Sequence, residues 1–167
     1  MPKSADQNRR SKIEAVIVRR LTRKKKTLAL AESCTGGFIA HQITNVPGTS
    51  EIFLGGIVAY SNGVKDKFLG VKKSSLKKYG AVSEFVAREM AEGARKKFGA
   101  DFAIAVTGIA GPGGGTKDKP VGTVFIAVAG DFGTVVVQEL NCFGREMFKK
   151  VTANQALKLL LSQFTQT

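Results

Sequence analysis

The stretch Leu28-Ala-Leu-Ala-Glu-Ser33-Cys-Thr-Gly-Gly37 constrains this chain more than any other. Leu28 to Ala31 is a short apolar run that reads as a buried strand, and Thr35-Gly36-Gly37 is a helix-start signal. Phe38, Ile39, Ile43 and Val46 then recur at roughly helical spacing. A strand that stops and becomes a helix puts a serine and a thiol at the strand's carboxyl end. There they face the free N–H groups of the new helix. Such a place can hold a nucleophile and stabilise an oxyanion or a phosphate. The simpler use of Ser33 and Thr35 is to cap the helix.

The flanking segments extend the pattern. Ile13, Val16, Ile17 and Leu21 make an amphipathic helix, closed by the cations Arg23 to Lys26. Asn45 to Ser50 is a loop around a Pro-Gly turn. Ile52 to Ser61 reads as a second strand, with Gly55 and Gly56 inside it. Asn62 is placed to cap a helix carrying Val64, Lys65, Phe68 and Leu69, and Gly70 ends it. Leu76 to Gly80 reads as one helical turn. Ser83 opens a further helix with Phe85, Val86, Met90 and Ala94 as apolar positions, stopped by Gly99. Phe102 to Val106 is a buried strand, and Gly108 to Lys119 a glycine-rich loop. Val121 to Ala129 and Thr134 to Phe143 form a hairpin about Gly130-Asp-Phe-Gly133. Glu146 to Phe164 is the last helix. The expected fold is α/β, a three-layer sandwich of a mixed β-sheet with helices on both faces. Ligands in such sheets sit off the carboxyl ends of strands, where the Ser33 and Thr107 turns fall.

A length of 167 residues fits one domain. Residues 1–12 read as a basic, flexible tail and 13–167 as the domain. No apolar run approaches the roughly 20 residues that span a bilayer. The start lacks the apolar core of a secretory signal. A cytoplasmic location without membrane contact is expected. Cys34 and Cys142 make no disulfide framework, and His41 is the single histidine, so neither a metal nor another cofactor is expected. The net charge is +13, concentrated early, which suits anionic partners. No aromatic residue interleaves these cations and no nucleic-acid motif occurs, which favours a solvated cationic face over a nucleic-acid site.

A nucleophilic serine needs a base. His41 lies about a turn and a half up the helix that follows Ser33 and is badly placed to reach it. Lysine can serve if its amine is neutral near pH 7. Lys65 falls in the first turn of a helix, where the positive end of the dipole disfavours the ammonium. Tyr60, at the end of the preceding strand, could relay a proton or orient the lysine. The simpler use of Lys65 is a solvent-facing helix position. Gly115-Thr116-Lys117 reverses the order a Walker loop needs, so Thr107 and Gly108 at a strand end are the expected substrate contacts. Cys34, at a helix start that would lower its pKa, is the rival nucleophile.

Ala31-Glu-Ser-Cys-Thr-Gly-Gly37, Gly56-Ile-Val-Ala-Tyr-Ser-Asn62, Tyr79-Gly-Ala-Val-Ser83, Thr107-Gly-Ile-Ala-Gly-Pro112 and Pro120-Val-Gly-Thr-Val124 together resemble the CinA C-terminal domain family, the nicotinamide-mononucleotide amidohydrolases. The resemblance runs from about Ile13 to Phe164. It implies hydrolysis of the carboxamide of nicotinamide mononucleotide to nicotinate mononucleotide and ammonia, in pyridine nucleotide salvage, without metal. It implies Ser33 as nucleophile, Lys65 as base and Tyr60 as an assisting hydroxyl. Cys34, Thr35, Gly36, Thr107, Gly108 and Arg145 would bind the substrate. It further implies a stand-alone form of the domain and a homo-oligomer, dimer or higher. Relatives space a phenylalanine, a glycine and an arginine more widely before the last helix. Here Phe143-Gly144-Arg145 are contiguous, with Arg145 at the helix start where it could hold a phosphate. The alternative is a catalytically inactive domain that binds nucleotides or nucleic acid through its basic surface.

Overall fold

A computed structural model describes residues 12–164. The tail expected over residues 1–12 lies, but for Lys12, outside the described residues. In chain order the elements are α1 (Ile13–Lys24), β1 (Leu28–Glu32), α2 (Phe38–Thr44), a 3₁₀ turn (Thr49–Glu51), β2 (Phe53–Val58), α3 (Asn62–Leu69), α4 (Lys73–Tyr79), α5 (Glu84–Phe98), β3 (Phe102–Gly108), β4 (Thr123–Gly130), β5 (Gly133–Leu140) and α6 (Arg145–Gln163).

The strands form one sheet in the order β2-β1-β3-β4-β5. β1 runs parallel to β2 and to β3, and β4 and β5 follow antiparallel. The βα alternation of the first half makes the parallel part. The hairpin closes as expected, with Gly130 paired to Gly133. The fold is an α/β sandwich with helices on both faces of a mixed sheet.

Strand alternation sorts the side chains by size. Leu28, Leu30, Ile104, Val106, Val124, Ile126 and Val128 face one layer, where α1 contributes Ile17 and Leu21, α2 Ile39 and Ile43, and α6 Phe148 and Leu160. Ala29, Ala31, Ala103, Ala105, Ala127 and Ala129 face the other, against Val86, Ala87, Met90, Ala91 and Ala94 of α5. Small residues on both sides let α5 lie close to the sheet. Gly93 lets α5 lie equally close to α3, because a Cβ there would come within 1.8 Å of the Leu69 carbonyl oxygen.

Several boundaries differ from the sequence reading. β2 ends at Val58, and Ser61 rather than Asn62 caps α3, its Oγ accepting from the Val64 N–H at 3.3 Å. Asn62 is the first helical residue. α4 is a seven-residue helix rather than a single turn. Its packing hides in the sequence because the buried side chain is Ser75, whose hydroxyl donates to Glu89 at 2.8 Å. Phe68 and Phe85 have the spacing of core residues but are 43% and 49% exposed. Phe85 stacks on Tyr79 instead, and the amines of Lys67 and Lys97 sit over Phe68. No helix among the described residues is long and apolar enough to cross a membrane.

Candidate active site

The parallel strands β1, β2 and β3 end at the same edge of the sheet, and their carboxyl ends bring the expected residues together. Ser33 follows β1, Ala59 and Tyr60 follow β2, and Thr107 and Gly108 end β3. Ser33, Cys34, Tyr60, Lys65, Thr107, Gly108 and Arg145 all line one cavity of about 290 Å³. That is the lower end of the size of small-molecule sites, roughly 300–1,000 Å³. The loop from Ile109 to Gly114 adds a further wall, and Asn62, Ala81 and Val82 also line the cavity, a contribution not foreseen from sequence.

Lys65 is the centre of the arrangement. It is 1% exposed, in the first turn and a half of α3. Its Nζ donates to Ser33 Oγ at 3.0 Å, to the Ala59 carbonyl at 2.7 Å and to the Tyr60 carbonyl at 3.4 Å. All three acceptors are neutral. Among the described residues no carboxylate forms an ion pair with it. Burial therefore lowers its pKa below the usual 10.5, opposed only by the nearby Cys34 thiol. A neutral amine keeps two N–H groups for two carbonyls and turns its lone pair to Ser33. The solvent-facing alternative for Lys65 does not hold.

The structure corrects the expectation for Cys34. Its thiol is 6% exposed, and burial pushes its pKa up to about 12, with the Glu32 charge adding to the rise. The backbone N–H groups of Cys34 and Thr35 beside the sulfur lower it, but by less. The helix start does not make a thiolate here, because desolvation outweighs it.

Thr35 and Gly36 do not line the cavity. Thr35 is fully buried and donates its hydroxyl to Glu32 at 2.6 Å. Gly36 has φ +60° and lies under α6, where a Cβ would sit 3.5 Å from Lys149 Nζ. Neither Ser33 nor Thr35 caps α2. Its N-cap is Gly37, and no side chain at that position accepts its N–H groups. Glu32, 2% exposed at the end of β1, does so from below, accepting from the N–H groups of Gly37, Ile39 and Ala40 at 3.0, 3.1 and 2.8 Å. The sequence reading passed over Glu32. A charged residue closing a buried strand on the side of Leu28 and Leu30 is itself the signal, since such a charge must find partners.

Tyr60 presents its backbone carbonyl, not its hydroxyl, to Lys65. Its hydroxyl accepts from Arg145 at 2.6 Å, and Arg145 also donates to the Gly111 carbonyl at 2.7 Å. The guanidinium thus sits at the mouth, held by two neutral acceptors. Thr107 donates its hydroxyl to the Ala81 carbonyl at 2.8 Å, tying β3 to the far wall. Gly108 packs too close to β4 for a side chain, since a Cβ would be 2.8 Å from the Thr123 carbonyl oxygen. His41 lies on the exposed face of α2, beside Asn45. Among the described residues no three His, Cys, Asp or Glu side chains group so as to hold a metal ion.

Residues 10–164 match the family model of the CinA C-terminal domain. A CinA-like protein of Thermotoga maritima is 58% identical over 117 residues, 70% of this chain and 29% of that protein. A CinA-like protein of Desulfovibrio desulfuricans is 44% identical over 153 residues, 90% of this chain and 36% of its own length. The chain spans about a third of the length of these curated relatives. The competence/damage inducible protein CihA from Agrobacterium tumefaciens is 39% identical with a TM-score of 0.85, covering 90% of this chain and 92% of that one. The competence damage-inducible protein A (ComA) from Klebsiella pneumoniae is 33% identical with a TM-score of 0.89, over 92% and 95%. With almost its whole length matched, this chain belongs to the CinA C-terminal domain family.

Proposed function

We propose that this chain hydrolyses a carboxamide, that of nicotinamide mononucleotide, with Ser33 as nucleophile and Lys65 as base. The observation that carries the reading is the buried Lys65 amine, 3.0 Å from Ser33 Oγ and without a counter-ion among the described residues. Neutral Lys65 takes the Ser33 proton as Oγ attacks the carboxamide carbon. In this reading the backbone N–H that follows the serine, that of the cavity-lining Cys34, holds the oxyanion; a donor of this kind contributes about 3 kcal/mol to the transition state. The lysine ammonium then returns its proton to the departing nitrogen, which leaves as ammonia. A water molecule, deprotonated by the same amine, cleaves the Ser33 ester and yields the carboxylate. Arg145, paired with no acid among the described residues and set at the cavity mouth, suits a phosphate. Tyr60 assists by holding that guanidinium.

Ammonia release from nicotinamide mononucleotide tests this directly. The parent releases ammonia in the presence of a chelator, and Ser33→Ala and Lys65→Ala each lower kcat by about a thousandfold. Rates within tenfold of the parent in either variant would remove that residue from its role.

A further inference from the structure

Glu32 is more than a helix cap. Its Oε2 accepts from Thr35 Oγ1, Gly37 N and Ile39 N, and its Oε1 accepts from Ala40 N. Every one of these donors belongs to the segment that begins two residues after Ser33. The remaining N–H groups of the turn are accounted for in turn. Gly36 donates to the Ser33 carbonyl at 3.1 Å and Phe38 to the Thr35 carbonyl at 3.2 Å. No carbonyl or carboxylate among the described residues takes the N–H groups of Cys34 and Thr35. Glu32 thus holds the helix start on the side of the turn away from the cavity, to which Ser33 and Cys34 but not Thr35 are open.

The same residue is joined to the base through the backbone. The Glu32 carbonyl accepts from the Ala59 N–H at 2.7 Å, and the Ala59 carbonyl accepts from Lys65 Nζ at 2.7 Å. Ser33 N donates to the Val106 carbonyl at 3.1 Å on the other side. The nucleophile and its base therefore hang from one short stretch of backbone. That stretch is anchored by a carboxylate facing the opposite layer of the sheet.

We infer that Glu32 is the positioning residue of the nucleophile: it sets the Ser33–Thr35 turn so that Ser33 Oγ meets Lys65. The inference rests on Ser33 being the nucleophile of the proposed function. A misplacement of about 1 Å in such a group costs about a hundredfold in rate.

The experiment compares the parent with Glu32→Gln and Glu32→Ala, using two readouts. One is ammonia release from nicotinamide mononucleotide. The other is the rate at which a fluorophosphonate reagent labels Ser33, read by peptide mass with Ser33→Ala as blank. Glu32→Gln keeps one acceptor oxygen and replaces the other with an NH₂ that cannot accept, so it retains part of the network that Glu32→Ala removes and tests the inference even if Glu32→Ala does not fold. The expected losses are about tenfold for Glu32→Gln and about a hundredfold for Glu32→Ala, in both kcat and labelling rate, with KM within about threefold. The rising limb of kcat against pH stays where the parent has it, because Glu32 acts on the position of the serine and not on the proton of Lys65. Leu160→Ala, buried in the same layer, is the stability control. It lowers the thermal midpoint and leaves both rates unchanged. Rates within twofold of the parent in Glu32→Gln overturn the inference, as does a loss that Leu160→Ala reproduces. A parent that is labelled at Ser33 but releases no ammonia, with labelling slowed in Glu32→Gln, supports the positioning role and removes the amidase. A parent not labelled at Ser33 overturns both.

Discussion

The two faces of the sheet treat a buried charge in opposite ways at the end of β1. On the face of Leu28 and Leu30, Glu32 is buried and meets four donors. On the face of Ala29 and Ala31, Lys65 is buried as deeply and meets three neutral acceptors and, among the described residues, no acid. The first charge is compensated, so it can serve as an anchor. The second is not, so its proton is easily lost. Equal burial gives architecture in one case and a reactive group in the other, and the partners decide which.

The largest effect expected of this contrast is at Lys65. Lys65→Met lowers kcat about a thousandfold, yet raises stability at neutral pH by about 1–2 kcal/mol in urea denaturation, because it removes the cost of burying an amine that the unfolded chain holds protonated in water. A loss of stability instead would mean that Lys65 has a stabilising partner and would break the comparison. The pH dependence sharpens it. The folded-state pKa of Lys65 lies below 10.5. Between the folded and the unfolded value the unfolded chain holds the extra proton, so the stability of the parent relative to Lys65→Met climbs as pH rises through that window. It is level below the folded pKa and again above about 10.5. The kcat of the parent rises through the folded pKa in the same direction. A flat difference in stability between neutral pH and 10.5 would place the amine at its ordinary pKa.

A smaller effect belongs to the packing of the alanine face. On helix propensity alone Gly93→Ala would stabilise α5 by about 1 kcal/mol. The Leu69 carbonyl oxygen 1.8 Å from the added Cβ reverses the sign. The variant costs about 1–3 kcal/mol, and kcat falls several-fold as α3 and Lys65 are displaced. Stabilisation by Gly93→Ala would show that α3 is not held at this distance. The smallest effect is at Cys34. Its thiol is pushed up to about 12, so Cys34→Ala keeps the backbone N–H and lowers kcat by less than about tenfold. A thousandfold loss there, with Ser33→Ala active, would exchange the nucleophile.

Much of the fold was legible because it is written in short-range pattern. The short apolar run Leu28 to Ala31, the helical spacing of Val86, Met90 and Ala94, and the turn at Gly130 to Gly133 each report their own local geometry. α4 escaped because its buried position is a serine that bonds to Glu89. Phe68 and Phe85 misled because an aromatic at core spacing can instead lie over a neighbouring ring or under lysine amines.

Local pattern alone shows that Ser33 ends a strand at a turn into a helix, that Lys65 enters a helix near its start, and that Thr107 and Gly108 close a buried strand. The reason is that periodicity, glycine and chain direction act over a few residues. It takes the packed sheet and helices to show that Lys65 reaches Ser33 across 32 positions, that Glu32 rather than Thr35 holds α2, that Tyr60 turns its hydroxyl to Arg145, and that burial raises the Cys34 pKa. These depend on strand order and on the side of the sheet each residue faces. They depend also on how much water the packed layers leave around each charge, and no local pattern carries that information.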